Sequence, residues 1–310
     1  MTALRGPSAA TGRALRDAGL DPADVARVLA TAFAEDFAHG GDATSDATVP
    51  SGQRSRALVA SRAEGCLAGA AVAAAAFEAL DPAVSTEIRI ADGARVAPGD
   101  VVLVAEGPTR ALLGAERTAL NLLCHLSGVA TSTRRWADAL EGTDARVRDT
   151  RKTLPGLRAL QKYAVRCGGG TNHRMSLGDA ALVKDNHVVA AGGVAEAFRR
   201  VRAARPDLAI EVEVDTVAQL REVLAAGADL VLLDNMPPAT LRECVAIAAA
   251  HRRETGRSVL LEASGGLALD RAREVGETGV DFLSVGALTH SAAVLDLGVD
   301  LVALPPDAPA

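Results

Sequence analysis

The chain has 310 residues, 49% of them hydrophobic and 23% charged, which is long enough to bury one large core or two smaller ones and too apolar for a disordered polymer. A net charge of −6 and only seven aromatic residues argue against a nucleic-acid binder, which needs a broad basic face or rings on which bases stack. The four cysteines (Cys66, Cys124, Cys167 and Cys244) stand far apart without CxxC or Cys/His metal spacing, which fits reduced thiols in a cytoplasmic protein.

Residues 1–20 are rich in Ala, Gly and Arg and lack the apolar segment of a signal peptide, so they are expected to form a flexible tail. Asp21-Pro22 predicts an N-cap followed by a proline in the first turn, and the spacing of Val25, Val28, Leu29 and Phe33 carries that helix to about Phe37. The run HGGDATSDATVP then predicts a loop. Residues 66–77 are apolar but too short and Ala-rich to span a bilayer, and Glu78 follows at once, so no membrane contact is expected. Alternating segments at 56–62, 85–90 and 101–105, with an Ala-rich helix near 69–80, predict a small α+β sandwich over residues 21–125. Within it DGARVAPGDVVLVAEGP predicts a glycine-turned hairpin. It resembles the hairpin of a lipoyl or biotinyl carrier, but the lysine that such a carrier modifies is absent. Over 109–140 the apolar period is helical with an interruption at Ser127-Gly128, which predicts two helices leaving this domain.

From there the pattern changes. ARVRD, ALVKD, AIEVEVD, DLVLLD, SVLLEAS and DFLSVG read as strands, with helical segments such as LPGLRALQKYAV, GVAEAFRRVRAA and TVAQLREVLAAG between them. Near-continuous apolar strands alternating with amphipathic helices mean βαβ units and a buried parallel sheet. Six strands are visible where a full barrel has eight, so residues 126–290 are read as an open or incomplete α/β barrel, with a doubly wound sheet as the alternative. Residues 291–310 are expected to return to the first domain before a Pro-rich end. Nearly every strand ends in a chemically active group: Asp149-Thr150-Arg151-Lys152, Lys184-Asp185-Asn186, Glu211 with Glu213, Asp234-Asn235, Glu262 with Ser264-Gly265-Gly266, and Ser284 with Gly286. In a parallel barrel those ends converge on one face.

All three lysines, Lys152, Lys162 and Lys184, fall between residues 152 and 184, whereas the other basic residues are arginines spread throughout. Residues 146–187 hold nine Lys/Arg against three acids, a local charge of +6, so the remainder carries −12. A basic pocket in an acidic body holds small anions such as carboxylates and phosphates. Lys162, on the helix after LPGL, is expected to be exposed or secondary.

Residues 149–187, DTRKTLPGLRALQKYAVRCGGGTNHRMSLGDAALVKDNH, resemble the signature region of the quinolinate phosphoribosyltransferases. The resemblance continues through EDFAHGGDATSD, GAERTALNLLCHLSGVAT, EVEVDT, LLDNM, LEASGGL and VGALTHSA. It implies a phosphoribosyl transfer from phosphoribosyl pyrophosphate to quinolinate, a pyridine with two adjacent carboxylates, followed by loss of one carboxylate. Such a dianion needs several cations, some of them planar forks able to grip a carboxylate through two hydrogen bonds. The resemblance assigns Arg117, Arg151, Arg174, His173 and Lys184 to it and places Arg117 in the neighbouring subunit's site. The implied assembly is a homodimer with shared active sites, open to higher homo-oligomers. Taken singly, each arginine is more often a solvated surface charge. Lys152 and Lys184 would hold phosphate oxygens or the second carboxylate, beside Thr150.

Glu213 and Asp234 end successive strands. In the family they lie near the ribose and its Mg2+, meeting the ion indirectly or through the substrate, where negative charge favours an oxocarbenium-like transition state. On their own they also fit as buried partners of the lysines. Ser264-Gly265-Gly266 and Val285-Gly286-Ala287 follow the last two strands, where barrels cradle a phosphate on exposed backbone N–H groups, and His290 should stand nearby. No organic cofactor is expected, because the pyridinium formed on ribosylation is its own electron sink for decarboxylation. Three other readings compete: a Schiff-base role for Lys184, opposed by its charged surroundings; a molybdenum-associated paralogue; and a sensor of phosphorylated metabolites. The third would have lost carboxylates or glycines that this chain retains.

Overall fold

The structure is a computed structural model that describes residues 4–305; the start of the expected tail and most of the Pro-rich end lie outside the described residues. The chain forms two compact units. One comprises Leu154–Gly169 with the residues before Thr133 and after His290, and the other comprises Thr133–Thr153 and Gly170–His290. This division differs from the expected break at 125/126, chiefly because Leu154–Gly169 clusters with the first unit.

In the first unit, residues expected as a tail form helix α1 (Ala9–Asp17), capped by Ser8. Its anchor is Glu78, whose buried carboxylate accepts hydrogen bonds from Ser8 N, Thr11 Oγ1 and Thr86 Oγ1 at 2.7–2.8 Å. Leu15 is fully buried, so α1 is bound by its apolar side as well. Helix α2 (Pro22–Asp36) starts as predicted, with Asp21 accepting from Ala23 N at 2.9 Å and Val25, Leu29 and Phe33 buried. The expected loop after it contains a short helix, α3 (Ala43–Thr48), because Asp42 caps two of its free N–H groups. Strand β1 (Arg54–Ser61) and β2 (Gly65–Cys66) precede helix α4 (Ala70–Glu78), every residue of which is buried.

Strands β3 (Ser85–Ile88), β4 (Arg95–Val96) and β5 (Val101–Pro108) follow. The C-terminal strand β12 (Leu297–Ala303) pairs antiparallel along β1, giving a four-stranded sheet of order β12-β1-β5-β3. The predicted hairpin does not form: β4 pairs with β2, while β5 fills the centre of the larger sheet. The turn at Gly99 is present, but each arm found a better partner elsewhere in the chain. Helix α5 (Thr109–Ala139) is unbroken, contrary to the expected interruption. A Cβ at Gly128 would lie 2.1 Å from Ala293 O, so this glycine permits a close approach of backbone and ends nothing. Helix α6 (Arg158–Cys167) buries Leu160, Gln161, Ala164 and Val165 together with Lys162, which is 0% exposed, so the expected exposure of that lysine is wrong.

The second unit contains all six predicted parallel strands: β6 (Arg146–Arg148), β7 (Ala181–Val183), β8 (Ile210–Val214), β9 (Leu230–Asp234), β10 (Leu260–Ser264) and β11 (Phe282–Ser284). Their order is β6-β11-β10-β9-β8-β7, and no ladder between β6 and β7 closes the sheet among the described residues. The result is an incomplete α/β barrel. Helices α7 (Asp185–Ala191), α8 (Val194–Ala204), α9 (Val217–Ala226), α10 (Pro238–Thr255), α11 (Ala272–Gly276) and α12 (Ala287–His290) lie between and after the strands. Thr216 and Gln219 form a reciprocal capping box that starts α9 immediately after β8. Val212, Val231, Leu233, Leu261 and Leu283 are buried in the sheet, which leaves the strand ends as the place for polar groups. The four cysteines are free thiols, and no helix of the described residues is long and apolar enough to cross a membrane.

Candidate active site

Strand β6 delivers Asp149, which is fully buried and acts as an anchor for the segment after the triple glycine. Its Oδ2 accepts from Asn172 Nδ2 at 2.6 Å and its Oδ1 from the His173 backbone N–H at 2.9 Å. A parallel bridge between Arg148 and Thr171 holds the same segment against the strand. His173 and Arg174 are thereby brought to the ends of the sheet.

The imidazole of His173 has a determined tautomer. Its Nδ1 accepts the Arg174 backbone N–H at 2.8 Å, so the proton must sit on Nε2, which donates to Glu211 Oε2 at 2.6 Å. Beneath it, Glu262 Oε2 accepts from Arg148 Nη1 at 2.5 Å and Oε1 from Ser284 Oγ, while the Arg148 guanidinium lies 4.3 Å from the Phe282 ring centroid. Burial raises the pKa of both Glu211 and Glu262; proximity to Glu211 raises Glu262 further, and Arg148 pulls both back. His173, Glu211 and Glu262 converge within 4.8 Å, a separation suited to a metal ion. The donors do not fit one: Nε2 carries its proton, and both Glu262 oxygens are already engaged.

Above this layer lies a cavity of ≈ 320 Å³ lined by Thr150, Arg151, Lys152, His173, Arg174, Lys184 and Ser264, with Glu262, Ser284, Leu182 and Leu232. Arg174 is held by a bond from Nη1 to Ala180 O at 2.9 Å, and burial first, then repulsion from Arg151, lowers its pKa. The Nε atoms of Arg151 and Arg174 are both buried without an acceptor. Two like-charged forks with unmet donors on one wall make a cradle for an anion. Lys184 donates from Nζ to Glu213 Oε2 at 2.7 Å while remaining 46% exposed, an ion-paired ammonium at the mouth and not a neutral amine in an apolar pocket.

The other predicted residues stand at neighbouring strand ends without lining this cavity. Asp234 closes β9, directly paired in register with Ser264, and its Oδ2 accepts from Asn235 Nδ2 at 2.6 Å. Gly265 and Gly266 adopt φ of +88° and +59°. Gly286 is overlaid by the Lys152 stem and the His290 ring: a Cβ there would lie 2.8 Å from Lys152 Cδ and 3.4 Å from His290 Nε2. Val285 N donates to Arg148 O, and Thr289 Oγ1 to Lys152 O, so the turn through Ala287 is tied to the basic segment. Arg117 is exposed on α5 in the first unit and makes no ion pair with a described residue.

Asp149, Glu211, Glu262 and Ser284 were visible in the sequence as strand-end groups, and Arg148 only as one charge of the basic window; none of the five carried an assigned role. The available signal was alternation: Glu211 and Glu213 interrupt an otherwise apolar strand at every second residue and therefore share one face.

Comparison with known proteins agrees with this architecture. The model described as quinolinate phosphoribosyl transferase, N-terminal domain, matches residues 42–127, and the corresponding C-terminal domain matches residues 129–300. The chain is similar to the carboxylating nicotinate-nucleotide pyrophosphorylase of Mycobacterium leprae, at 50% identity over 281 residues covering 90% of this chain and 98% of that protein. The solved structure of NadC from Streptococcus pyogenes superposes with a TM-score of 0.86 at 36% identity, covering 92% of this chain and 99% of that one. The nicotinate-nucleotide pyrophosphorylase from Francisella tularensis gives 0.84 at 36% identity, covering 90% and 96%.

Proposed function

This chain belongs to the quinolinate phosphoribosyl transferase family, and from that premise we propose that it makes nicotinate mononucleotide, pyrophosphate and CO2 from quinolinate and phosphoribosyl pyrophosphate, a step of NAD biosynthesis. The observation that carries the reading is the pair of buried, unmet Nε donors on Arg151 and Arg174 in one cavity. A dicarboxylate supplies the acceptors they lack, with Lys152 and Lys184 as further cations.

His173 keeps its place on the cavity wall, and its contribution is to hold Arg174 through the Nδ1 bond. Phosphoribosyl pyrophosphate enters with Mg2+ as its counter-ion, so the ion is part of the substrate. Glu213 and Asp234 suit it as oxygen donors acting through water: each has one oxygen engaged, by Lys184 and Asn235 respectively, and the other accepts nothing from a described residue. As pyrophosphate leaves, their negative charge stabilises the cation developing on the ribose. Ser264, Gly265 and Gly266, with Gly286, Ala287 and the His290 ring, would hold the 5'-phosphate; Val285 brings no free donor to it, since its N–H is engaged by Arg148 O.

The ring nitrogen forms the new bond to the ribose carbon and becomes cationic. The adjacent carboxylate then leaves as CO2, its bonding pair remains on the ring carbon beside the positive nitrogen, and a proton completes the product. No residue needs to supply an electron sink; the protein orients the two carboxylates and limits competing water. The working unit in this reading is a homodimer in which Arg117 serves the partner's site, in the cytoplasm, where the free thiols stay reduced.

The test is incubation of purified protein with quinolinate, phosphoribosyl pyrophosphate and Mg2+, following nicotinate mononucleotide and CO2. Quinolinate should exceed nicotinate in kcat/KM by at least about a hundredfold, since a monocarboxylate leaves a buried cation without its partner. Comparable efficiency with nicotinate would overturn the assignment of the cradle to a dicarboxylate.

A further inference from the structure

We propose that Asn235 is a positioning residue that locks the Asp234 carboxylate to the Ser264-Gly265 turn, so that the carboxylate beside the ribose and the phosphate-holding turn move as one piece. The inference rests on the reading of Asp234 and Ser264-Gly266 given above and extends it to a residue with no assigned role.

Three independent observations meet at this side chain. Asn235 is the only non-glycine residue with positive φ among the described residues, at +53°, a conformation that asparagine tolerates better than most residues. Its Nδ2 donates to Asp234 Oδ2 at 2.6 Å, and its backbone N–H donates across to Ser264 O at 2.9 Å. Its amide also lies directly against Gly265, where a Cβ would stand 2.3 Å from Asn235 Oδ1 and 2.9 Å from Nδ2. Gly265 is therefore required twice over, by its own φ of +88° and by the amide resting on it.

An extended conformation at residue 235 would carry the side chain away from both neighbours. The left-handed backbone turns the amide back over the ends of β9 and β10. The cost of this geometry is local, and the exposed position of Asn235 rules out burial of the side chain as its compensation. What the conformation achieves is the orientation of one carboxylate oxygen, while the other accepts no hydrogen bond from a described residue.

The two effects separate on substitution. Asn235→Gly accepts the same φ without strain and removes the amide; Asn235→Ala removes the amide and adds strain; Asn235→Asp keeps tolerance for the conformation but sets a second carboxylate against Asp234. Each would be assayed for Tm, for kcat, for KM of each substrate, and for the Tm increase produced by Mg2+ with phosphoribosyl pyrophosphate. Asn235→Gly should melt at or above the wild-type temperature yet lose about ten- to a hundredfold in kcat, with the Tm increase reduced and the quinolinate KM within about twofold. Asn235→Ala should match that loss in kcat at a lower Tm, and Asn235→Asp should lose at least as much.

Asp234→Asn, assayed in parallel, distinguishes the two levels of the reading. A large loss in Asp234→Asn with wild-type kcat in Asn235→Gly would overturn the positioning role of Asn235 alone. Wild-type kcat in Asp234→Asn would overturn the reading of Asp234 on which it rests. Losses in kcat that track Tm across the Asn235 series would reduce Asn235 to a purely structural residue.

Discussion

Glu211 and His173 are joined by a 2.6 Å hydrogen bond in which the imidazole must be the donor, because its other nitrogen already receives the Arg174 backbone N–H. The carboxylate therefore determines the protonation pattern of a ring that stands on the wall of the candidate active site, and through it the placement of the next residue. Glu211→Ala should leave the Nε2 proton buried without an acceptor, destabilising the fold by roughly 1–3 kcal/mol and lowering kcat/KM by at least about tenfold. Glu211→Gln retains an acceptor and should stay within about threefold of wild type. Nitrogen-15 NMR of the His173 ring should show protonation at Nε2 in the wild type and in the glutamine variant; equal activity of both variants would dissociate Glu211 from His173.

Replacing Glu213 or Asp234 by its amide should lower kcat by about 10²–10³ while changing quinolinate affinity by less than about threefold, since their charge matters most when the ribose is cationic. Glu213→Gln also leaves Lys184 facing a neutral acceptor in place of its 2.7 Å anionic partner, so its effect should exceed that of a neutral exchange at a solvated surface pair. Single-turnover kinetics separated from equilibrium quinolinate binding provides the check. A change confined to binding would move these carboxylates from ribose to pyridine.

Arg117→Ala and Lys152→Ala should each be inactive alone, and mixing them under subunit exchange should restore activity. With random reassembly, about half the dimers are hybrids with one intact site, so recovery should approach about a quarter of the wild-type rate. Exchange would be verified by native mass spectrometry. A fully active Arg117→Ala would instead mark that exposed arginine as a surface charge.

Asp179 provides a pH-dependent readout beside Arg174. Burial alone would raise its pKa, but hydrogen bonds from the Met175 and Ser176 N–H groups hold it below the ordinary 3.8. Because the folded-state value is depressed, the stabilisation is complete above 3.8 and is lost as pH falls through the lowered folded-state value. Carboxyl NMR should report a midpoint below the ordinary aspartate range, with Met175 and Ser176 amide protection falling through the same interval. Asp179→Asn should abolish that dependence and weaken the loop that carries Arg174 Nη1 to Ala180 O.

The central strands β8, β9 and β10 were legible because each is a short, largely buried run bounded by helical sequence, which declares itself locally, and the shorter β6, β7 and β11 were read from their place in the same alternation with helices. Seven of the residues assigned to the site line one cavity: Thr150, Arg151, Lys152, Lys184 and Ser264 because parallel strands bring their C-terminal ends to the same side, and His173 and Arg174 because Asp149 and the Arg148–Thr171 bridge hold their segment there. The basic window was readable by counting alone. Where the local signal misled, a distant segment had intervened: Gly128 reads as a helix breaker until Ala293 is found against it, and β4 and β5 read as a hairpin until β2, β1 and β3 claim them.

Residue types and their order along the chain thus determined the class of fold, the family and the kind of ligand, since those depend on local periodicity and on motifs carried whole in the sequence. Only the tertiary structure decided that Lys162 is buried, that His173 turns its Nε2 toward Glu211 while Nδ1 accepts from Arg174 N, and that Asn235 folds back over Gly265. Each of these follows from a partner remote in sequence or from a backbone dihedral, and neither a ring's orientation nor the sign of φ is written in a side chain's identity.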